Sequence, residues 1–452
     1  MHASPAKPSA LLSFGARTLR ARGGAFAMLQ TLVAQGFTMS VNLATGILTA
    51  RLLGPVGRGE FAAASLWLLL PSFLAVSGLQ NGIVYQSRKN LEHRAGAALA
   101  GLLLASAVFV PVVAVCWVLM PSLMHGYGPA VVWLARFALL GAALNVWNVV
   151  LRQAMLANKD FGAYNLLATG AAAIYLVMLV ALGLLGAISP ANAVFAQIAS
   201  TVIVFALGAI RIIRGWRGLS LRLHGLFRPL ISYSLRAAPI DLVTVLTGNI
   251  DRLILIPIIS PAEFGLYAVA MSFARILMVL QTAVSAVTLA DLTGKGADER
   301  QMFVHRTFRV MLLLLVIACA AVLLVDRQLL GLAYGAGFTR AVPIFRVLLL
   351  EAALTCLGQM LMQVYLAAGR PTLASSAQVA SFITTTAGVL FLAPMLGSIG
   401  AAIALTIGSA VRLLVLLVRL PAIQVSRPSP FPQRADLALL TARLRVRARP
   451  AL

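Results

Sequence analysis

Residues Ala95–Met120 read AGAALAGLLLASAVFVPVVAVCWVLM and contain no charged side chain. A helix of about 20 apolar residues crosses the roughly 30 Å hydrocarbon core of a bilayer, because it rises about 1.5 Å per residue. Within lipid, only helices and closed barrels pair all of their backbone N–H and C=O groups. This stretch therefore predicts a transmembrane helix.

The composition extends that prediction to the whole chain. Its 452 residues are 61% hydrophobic and 11% charged, with a mean hydropathy of +0.95. Soluble domains carry about a quarter charged residues, so a soluble domain, a disordered chain and a nucleic-acid-binding domain are excluded. The three cysteines lie in apolar runs, so no disulfide scaffold is expected: Cys116, Cys319 and Cys356. The chain is predicted to be an integral membrane protein.

The same length filter predicts twelve spans in two sets of six. The first set is Ala27–Ala50, Glu60–Tyr85, Ala95–Met120, Pro129–Leu151, Ala163–Ala187 and Pro190–Ile213. The second set is Ile231–Ile258, Glu263–Ala290, Arg306–Val325, Ala341–Leu366, Pro371–Leu396 and Ser398–Leu420. We expect a basic N-terminus (1–26), a first six-helix bundle (27–213), a linker (214–230), a second bundle (231–420) and a basic tail (421–452).

The positive charge follows a topological pattern. Lysine and arginine number 36 against 12 acidic residues, which gives a net charge of +24. Twenty-five of the basic residues lie in the termini and the even-numbered loops, and the odd-numbered loops hold only Arg51, Arg58, Arg327 and Arg340. Because basic loops near span ends stay in the cytoplasm, both termini are predicted to be cytoplasmic. The charge is then a topology signal, and no nucleic-acid partner is expected.

An internal repeat relates the two sets of spans. Shifted by 210 residues, Val131–Asp160 aligns with Ala341–Arg370 at eleven identical positions of thirty, and Arg136 coincides with Arg346. Six spans per repeat is an even number, so the halves share one orientation and are related by an axis along the membrane normal. Two such bundles with a path between them are typical of transporters.

A second alignment relates the turns that open each half. Shifted by 206 residues, Leu52–Phe61 aligns with Ile258–Tyr267, and two pairs of turn residues coincide: Pro55/Pro261 and Gly59/Gly265. Proline and glycine interrupt regular structure. We therefore expect each segment to be the turn between the first and second helices of its half.

Three short motifs resemble those of a known family: TGILTARLLGPVGRGEF (Thr45–Phe61), GNIDRLIL (Gly248–Leu255) and EFGLYAVA (Glu263–Ala270). Over residues 27–420 the chain resembles the polysaccharide and O-antigen flippases of the multidrug/oligosaccharidyl-lipid/polysaccharide exporter superfamily. The resemblance implies an all-α, V-shaped, two-bundle transporter in the bacterial cytoplasmic (inner) membrane.

The same resemblance implies a cargo and partners. The cargo would be an undecaprenyl-pyrophosphate-linked oligosaccharide, moved from the cytoplasmic to the periplasmic leaflet for O-antigen, exopolysaccharide or capsule biosynthesis. Membrane lipids and a polysaccharide polymerase or export machinery are the other implied partners. No cofactor is implied.

Seven arginines inside the spans are candidates for binding such a cargo. A charge near the bilayer centre costs at least about 2.5 to 3.5 kcal/mol on insertion scales, so it faces a partner or a wet cavity. A guanidinium offers bidentate donors to phosphate and keeps its charge. The expected pyrophosphate ligands are Arg275, Arg346, Arg136, Arg236 and Arg252. Arg309 and Arg412 lie close to span ends and are expected to snorkel to the headgroups.

Three acidic residues also lie inside the spans: Asp241, Glu351 and Asp251. The chain has no Gly-x-x-x-x-Gly-Lys-Ser/Thr motif, so these carboxylates are the candidates for coupling transport to an ion gradient. Asp241 and Arg275 lie at similar depth on antiparallel spans and are expected to face one another, as a structural ion pair or as part of the site. Asp251 and Arg252 point about 100° apart on a helix, so only one is expected to face the cavity.

Two other functions remain open from the sequence. An ion-coupled multidrug exporter of the same superfamily would need an acidic pocket, yet the first six spans contain only Glu60. A membrane glycosyltransferase or polymerase would need catalytic groups on large outer loops, and the longest predicted outer loop is Asp326–Arg340. The sequence shows no nucleophile–base pair and no metal-ligand cluster. Neither enzymatic activity nor a bound metal is expected.

Overall fold

The computed structural model describes residues 24–89, 94–215, 223–279 and 296–429, together with positions 281 and 292. Every regular element within these residues is helical. The α-helices are α1 (Gly24–Val76), α2 (Leu79–Lys89), α3 (Arg94–Leu123), α4 (Pro129–Ala157), α5 (Phe161–Leu184), α6 (Pro190–Gly215), α7 (Phe227–Thr247), α8 (Ile250–Leu255), α9 (Pro261–Ala274), α10 (Ala297–Tyr334), α11 (Val342–Ala367) and α12 (Pro371–Arg419). Short 3-10 turns follow α9, α10 and α12 at Arg275–Leu277, Ala336–Ala341 and Leu420–Ile423.

The helices follow the predicted order of spans. Within the described residues, nine helices are long and apolar enough to cross a membrane. In α1 and α12, two helices meet at a glycine in the left-handed region, Gly54 (φ 67°) and Gly397 (φ 59°), and each of these helices contains two predicted spans. The eighth predicted span begins as α9 and continues into residues 282–291, which lie outside the described part of the chain. Most of the predicted N-terminus and tail and part of the linker also lie outside it.

Several boundaries differ from the prediction, because a length filter does not detect a local change of backbone direction. The second span ends at Val76, and α2 begins only after Gly78, whose φ of 74° is accessible to glycine without a Cβ clash. The seventh span is divided at Gly248–Asn249 into α7 and α8. The predicted outer loop Asp326–Arg340 is helical as far as Tyr334. Breaks at membrane depth are tolerated where the backbone is buried in protein or lines a cavity.

Among the described residues, the two halves meet most extensively at two places, of which the first joins α1 to α9. We call it the glycine contact, and it consists of Gly59 with Gly265 and the carbonyls of Pro55 and Pro261. A methyl group added at Gly59 would lie 1.7 Å from the Pro261 carbonyl oxygen, and one added at Gly265 would lie 2.0 Å from the Pro55 carbonyl oxygen. These positions are the ones that the repeat aligns, so the contact is reciprocal. Only glycine permits such a close approach.

The second meeting place joins α2 to α7, and we call it the polar contact. Asp241 Oδ2 accepts hydrogen bonds from three groups at the start of α2: Gly78 N at 2.8 Å, Gln80 Nε2 at 3.3 Å and Asn81 Nδ2 at 3.2 Å. Farther along the same helices, the rings of Tyr85 and Tyr233 stack with centroids 4.7 Å apart. Side chains and backbone both hold the halves together here, since a methyl group added at Gly78 would lie 2.2 Å from the Ser234 carbonyl oxygen on α7.

Candidate substrate-binding site

Arg58 is a buried arginine at the boundary between the halves. It precedes Gly59 of the glycine contact, and its side chain is 8% exposed. Its guanidinium carbon lies 5.3 Å from the centroid of the Phe61 ring, on which Tyr175 stacks at 6.4 Å. Among the described residues, Arg58 Nε has no hydrogen-bond partner. An unpaired buried donor costs about 1–3 kcal/mol, and more when it is charged. Binding of an anion would remove that cost.

Arg252 brings a second positive charge from the other half of the protein. Arg58 and Arg252 lie on α1 and α8, yet they are close enough for their positive charges to repel each other. The neighbouring Asp251 is 1% exposed and accepts a hydrogen bond of 2.5 Å from the hydroxyl of Tyr267. Arg252 is only half-buried. The two adjacent side chains thus occupy different surroundings, as their angular separation on a helix requires.

Arg275 adds a third guanidinium. It begins the 3-10 turn after α9, and its side chain is exposed. Its charged neighbours are Arg252, Asp251 and Glu351, which lie on α8 and α11. An exposed side chain among charged groups of several helices is expected where a bundle encloses a wet cavity. Arg252 is thus a charged neighbour of both Arg58 and Arg275, and we call these three residues the arginine chamber.

Glu351 belongs to a polar network within the second half. Its Oε1 accepts hydrogen bonds from Thr355 Oγ1 at 2.6 Å and from Ser409 Oγ at 2.8 Å. Arg412 donates to Thr355 Oγ1 at 2.8 Å and is 4% exposed. The expectation that Arg412 snorkels is therefore wrong, because its side chain lies inside the bundle and donates to Thr355 and Gln378, although its Nε has no partner among the described residues. Glu351 lies at the boundary between this network and the arginine chamber.

Two predicted substrate ligands, the repeat-related Arg136 and Arg346, have other partners in the structure. Arg346 Nε lies 2.6 Å from Oδ2 of Asp326, whose side chain is 4% exposed. This pair was not predicted, because Asp326 lies in the predicted outer loop Asp326–Arg340. Arg136 lies between the rings of Trp117 and Trp133, with its guanidinium carbon 5.0 and 4.9 Å from their centroids. The recurrence of these arginines thus corresponds to two different structural contacts.

The remaining predicted residues lie elsewhere. Arg236 is exposed and donates to the carbonyl and hydroxyl of Ser232 on its own helix, at 3.2 and 2.8 Å. Asp241 lies in the polar contact, so the expected pairing of Asp241 with Arg275 is not formed. Arg309 is 8% exposed, so it does not snorkel to the headgroups either.

Arg58 was not predicted as a site residue, because it lies in a segment that was interpreted as an outer turn. Tyr175 and Tyr334, which lie near Arg58, were not predicted either. Within the described part of the chain, neither of these tyrosine hydroxyls has a hydrogen-bond partner. One observation indicates that the position of Arg58 is buried. The 206-residue offset aligns Arg58 with Phe264, which is 1% exposed. An apolar, buried counterpart indicates that this position faces the protein interior.

The helical architecture defines a class, the polytopic membrane proteins, since nine helices in the described part of the chain are long and apolar enough to cross a membrane. Residues 48–343 match the family model described as polysaccharide biosynthesis protein, and the chain belongs to that family. A comparison with curated proteins gives no significant match.

Solved structures share the fold over nearly the whole chain. The lipid II flippase MurJ in an inward closed conformation matches with a TM-score of 0.74 and 13% identity, over 94% of each chain. An inward-facing multidrug resistance MATE family transporter matches with a TM-score of 0.68 and 16% identity, over 89% of this chain and 99% of the other. A superfamily transporter from Pyrococcus furiosus matches with a TM-score of 0.56 and 17% identity, over 88% and 96%. The predicted all-α, V-shaped, polytopic fold is confirmed, and so is the predicted resemblance to a polysaccharide biosynthesis family.

Proposed function

We propose that the protein is a flippase for a lipid-linked oligosaccharide, with undecaprenyl pyrophosphate as the carrier. The arginine chamber holds the pyrophosphate between the two halves, while the prenyl chain stays in the lipid. The protein acts in the bacterial cytoplasmic membrane, with both termini in the cytoplasm, and supplies the polymerase or export machinery of a surface polysaccharide. Membership of the polysaccharide biosynthesis family and the likeness in fold to a lipid II flippase support this proposal.

The observation that carries the proposal is the buried Arg58 with its unpaired Nε, joined by Arg252 and Arg275 from the other half. Three guanidinium groups match the charge density of a pyrophosphate, and their planar donors match its oxygen atoms. Because the chamber draws ligands for one anion from both halves, the bound headgroup would hold the halves together around it. Release then requires the halves to separate.

The contacts of the three predicted carboxylates favour one of them as the residue that couples transport to an ion gradient. Asp251 is bound by Tyr267, and Glu351 is bound by Thr355 and Ser409 within one half. Asp241 alone among them joins the two halves, at the polar contact. We therefore propose Asp241 as the coupling residue, since protonation would weaken its hydrogen bonds to α2. Glu351 and Asp251 then adjust the charge of the chamber.

Leaflet-specific labelling of the carrier-linked oligosaccharide in membrane vesicles tests the function. Arg58→Gln, Arg252→Gln and Arg275→Gln should each lower the rate of appearance in the periplasmic leaflet by at least about tenfold, because loss of one charge-assisted hydrogen bond costs about 1.5–3 kcal/mol. Arg252→Lys should recover only part of the rate, since an ammonium is not bidentate. Arg327→Gln removes an exposed arginine outside the chamber and serves as the matched control. Parental rates in all three chamber variants would refute the proposal.

The same vesicles separate this function from the alternatives. A multidrug exporter would remove cationic dyes, and a chamber of three arginines disfavours such cargo. An enzyme that polymerises the polysaccharide would leave single repeat units in the periplasmic leaflet when it is removed, whereas loss of a flippase leaves the carrier facing the cytoplasm. We therefore propose a transport step without catalysis.

A further inference from the structure

A cavity opens at the end of the molecule that contains the polar contact. It has a volume of about 570 Å³, within the usual range of small-molecule sites. Its walls come from α2 and α4 of the first half and from α7 of the second. The side chains that give it its chemistry are Asn81, Tyr85, Arg88, Lys89, Gln153 and Tyr233. None of them belongs to the arginine chamber.

Two stacked aromatic rings line this cavity. Tyr85 and Tyr233 lie with their rings 4.7 Å apart and 14° from parallel, and Tyr85 is 48% exposed although it is a large aromatic residue. A tyrosine offers an apolar face and a polar hydroxyl to one ligand. The apolar face of a sugar ring fits against such a surface. The amides of Asn81 and Gln153 supply both donors and acceptors for sugar hydroxyls.

The charge of the cavity is positive. Arg88 and Lys89 are exposed, and the residues that line the cavity in the described structure include no acidic side chain. Arg88 NH2 donates to the Leu156 carbonyl at 3.2 Å, which fixes its position across from α4. A guanidinium has five N–H donors, so this bond leaves capacity for a phosphate.

We propose that this cavity is a separate site that binds the phosphorylated sugar headgroup before it reaches the arginine chamber. The proposal rests on the flippase function above and adds a loading step to it. The cavity also has a direct connection to the polar contact, because Asn81 both lines it and donates to Asp241. A headgroup that engages Asn81 and one tyrosine competes with the bonds that hold α2 to α7. Loading therefore opens this end of the protein.

The test is calorimetric titration of the purified full chain in nanodiscs of uncharged lipid, with N-acetylglucosamine 1-phosphate as the probe. Arg88→Gln and Tyr85→Leu should each weaken binding by about tenfold or more, because they remove the phosphate donor and the stacking face. Arg214→Gln is the matched control, since it removes an exposed arginine that does not line the cavity. The parental chain should bind the probe at least about tenfold more tightly than inorganic phosphate or the free sugar.

The outcomes are distinguishable. Equal binding of the probe and inorganic phosphate, with Tyr85→Leu unaffected, would overturn the sugar site and indicate a site for the phosphate of an anionic lipid. Equal loss in Arg214→Gln would also overturn it, because binding would then depend on net charge alone. If Arg88→Gln binds the probe normally while the chamber variants stop transport, only the loading site fails. If the parental chain moves no carrier-linked oligosaccharide, the proposed function fails.

Discussion

The glycine contact and the polar contact join the same two halves in different ways. At the glycine contact, backbone meets backbone, and there is no room for a Cβ at Gly59 or Gly265. At the polar contact, Gly78 also approaches the α7 backbone closely, and the Asp241 hydrogen bonds and the two stacked tyrosines add side-chain contacts between α2 and α7. The predicted topology places the first at the periplasmic end and the second at the cytoplasmic end.

The difference indicates which end separates more readily. The hydrogen bonds of the polar contact can be exchanged for bonds to water or to a ligand at little net cost. Close packing of backbone at the glycine contact has no such substitute, because separated surfaces lose their dispersion contacts outright. The closed conformation is therefore held more firmly at the glycine contact. Substitutions at the two contacts should reveal this asymmetry.

The largest effect is expected from Gly59→Ala. Its Cβ would lie 1.7 Å from the Pro261 carbonyl oxygen, so the halves must move apart. Overpacking of this kind costs typically about 1–3 kcal/mol or more. Thermal unfolding of the purified protein should show a lower midpoint, and transport should fall with it. Gly265→Ala should behave alike, because the contact is reciprocal.

The control for this prediction is Gly46→Ala in the same helix. A Cβ added there meets no atom within 4 Å, so neither stability nor transport should fall. If Gly59→Ala unfolds at the same temperature as Gly46→Ala, the glycine contact does not hold the halves in the protein.

An intermediate effect is expected from Asp241→Asn. The substitution keeps the shape of the side chain but removes the charge that strengthens three hydrogen bonds to α2. Since Asp241 is half-buried, we expect a loss of about 1 kcal/mol, below the full range for charged hydrogen bonds. The polar contact should open more often, while the glycine contact stays closed.

Spin labels at Lys89 and Arg228 can measure that opening, since both positions are exposed and lie on different halves. The three native cysteines would first be replaced, because all are free: Cys116, Cys319 and Cys356. Longer distances between the labels in Asp241→Asn are expected. An unchanged distance distribution would mean that Asp241 does not keep this end closed.

The smallest effect is expected from Arg51→Gln. Arg51 lies beside the glycine contact and donates to the carbonyls of Leu332 and Ala333, in the last turn of α10. A cation at a helix C-terminus stabilises by about 0.3–1 kcal/mol when it is exposed, as Arg51 is. Unfolding measurements should therefore show a smaller loss than for Gly59→Ala. A larger loss would show that polar bonds, not packing, hold this end.

The architecture could be predicted because its causes are local in the sequence. Runs such as Ala95–Met120 must be helical in lipid, and the repeat relates the halves. The alignment of Gly59 with Gly265 was informative, but we interpreted both as turn residues. Their direct contact depends on how two distant helices pack, which no spacing within one segment reveals. The division at 214–230 stays a prediction.

The candidate site was less predictable, because it depends on which charges find partners. Arg346 was predicted to be a ligand, but in the structure it pairs with Asp326, which belongs to a segment interpreted as a loop. Arg58 was interpreted as a loop residue, but packing between helices buries it. Arg252 and Arg275 lie near one another, and their role as ligands stays a prediction. Depth within a span thus identifies costly charges but not the tertiary contacts that offset their cost.

The reciprocal packing of two glycines also determines the point about which the two halves can rotate. With α1 touching α9 at Gly59, the part of α1 from Gly59 to Val76 is a lever about 26 Å long at about 1.5 Å per residue. A turn of about 15° around this fulcrum displaces the far tip by about 7 Å. That travel exceeds the 4.7 Å between the stacked tyrosines, so a modest rotation suffices to part them.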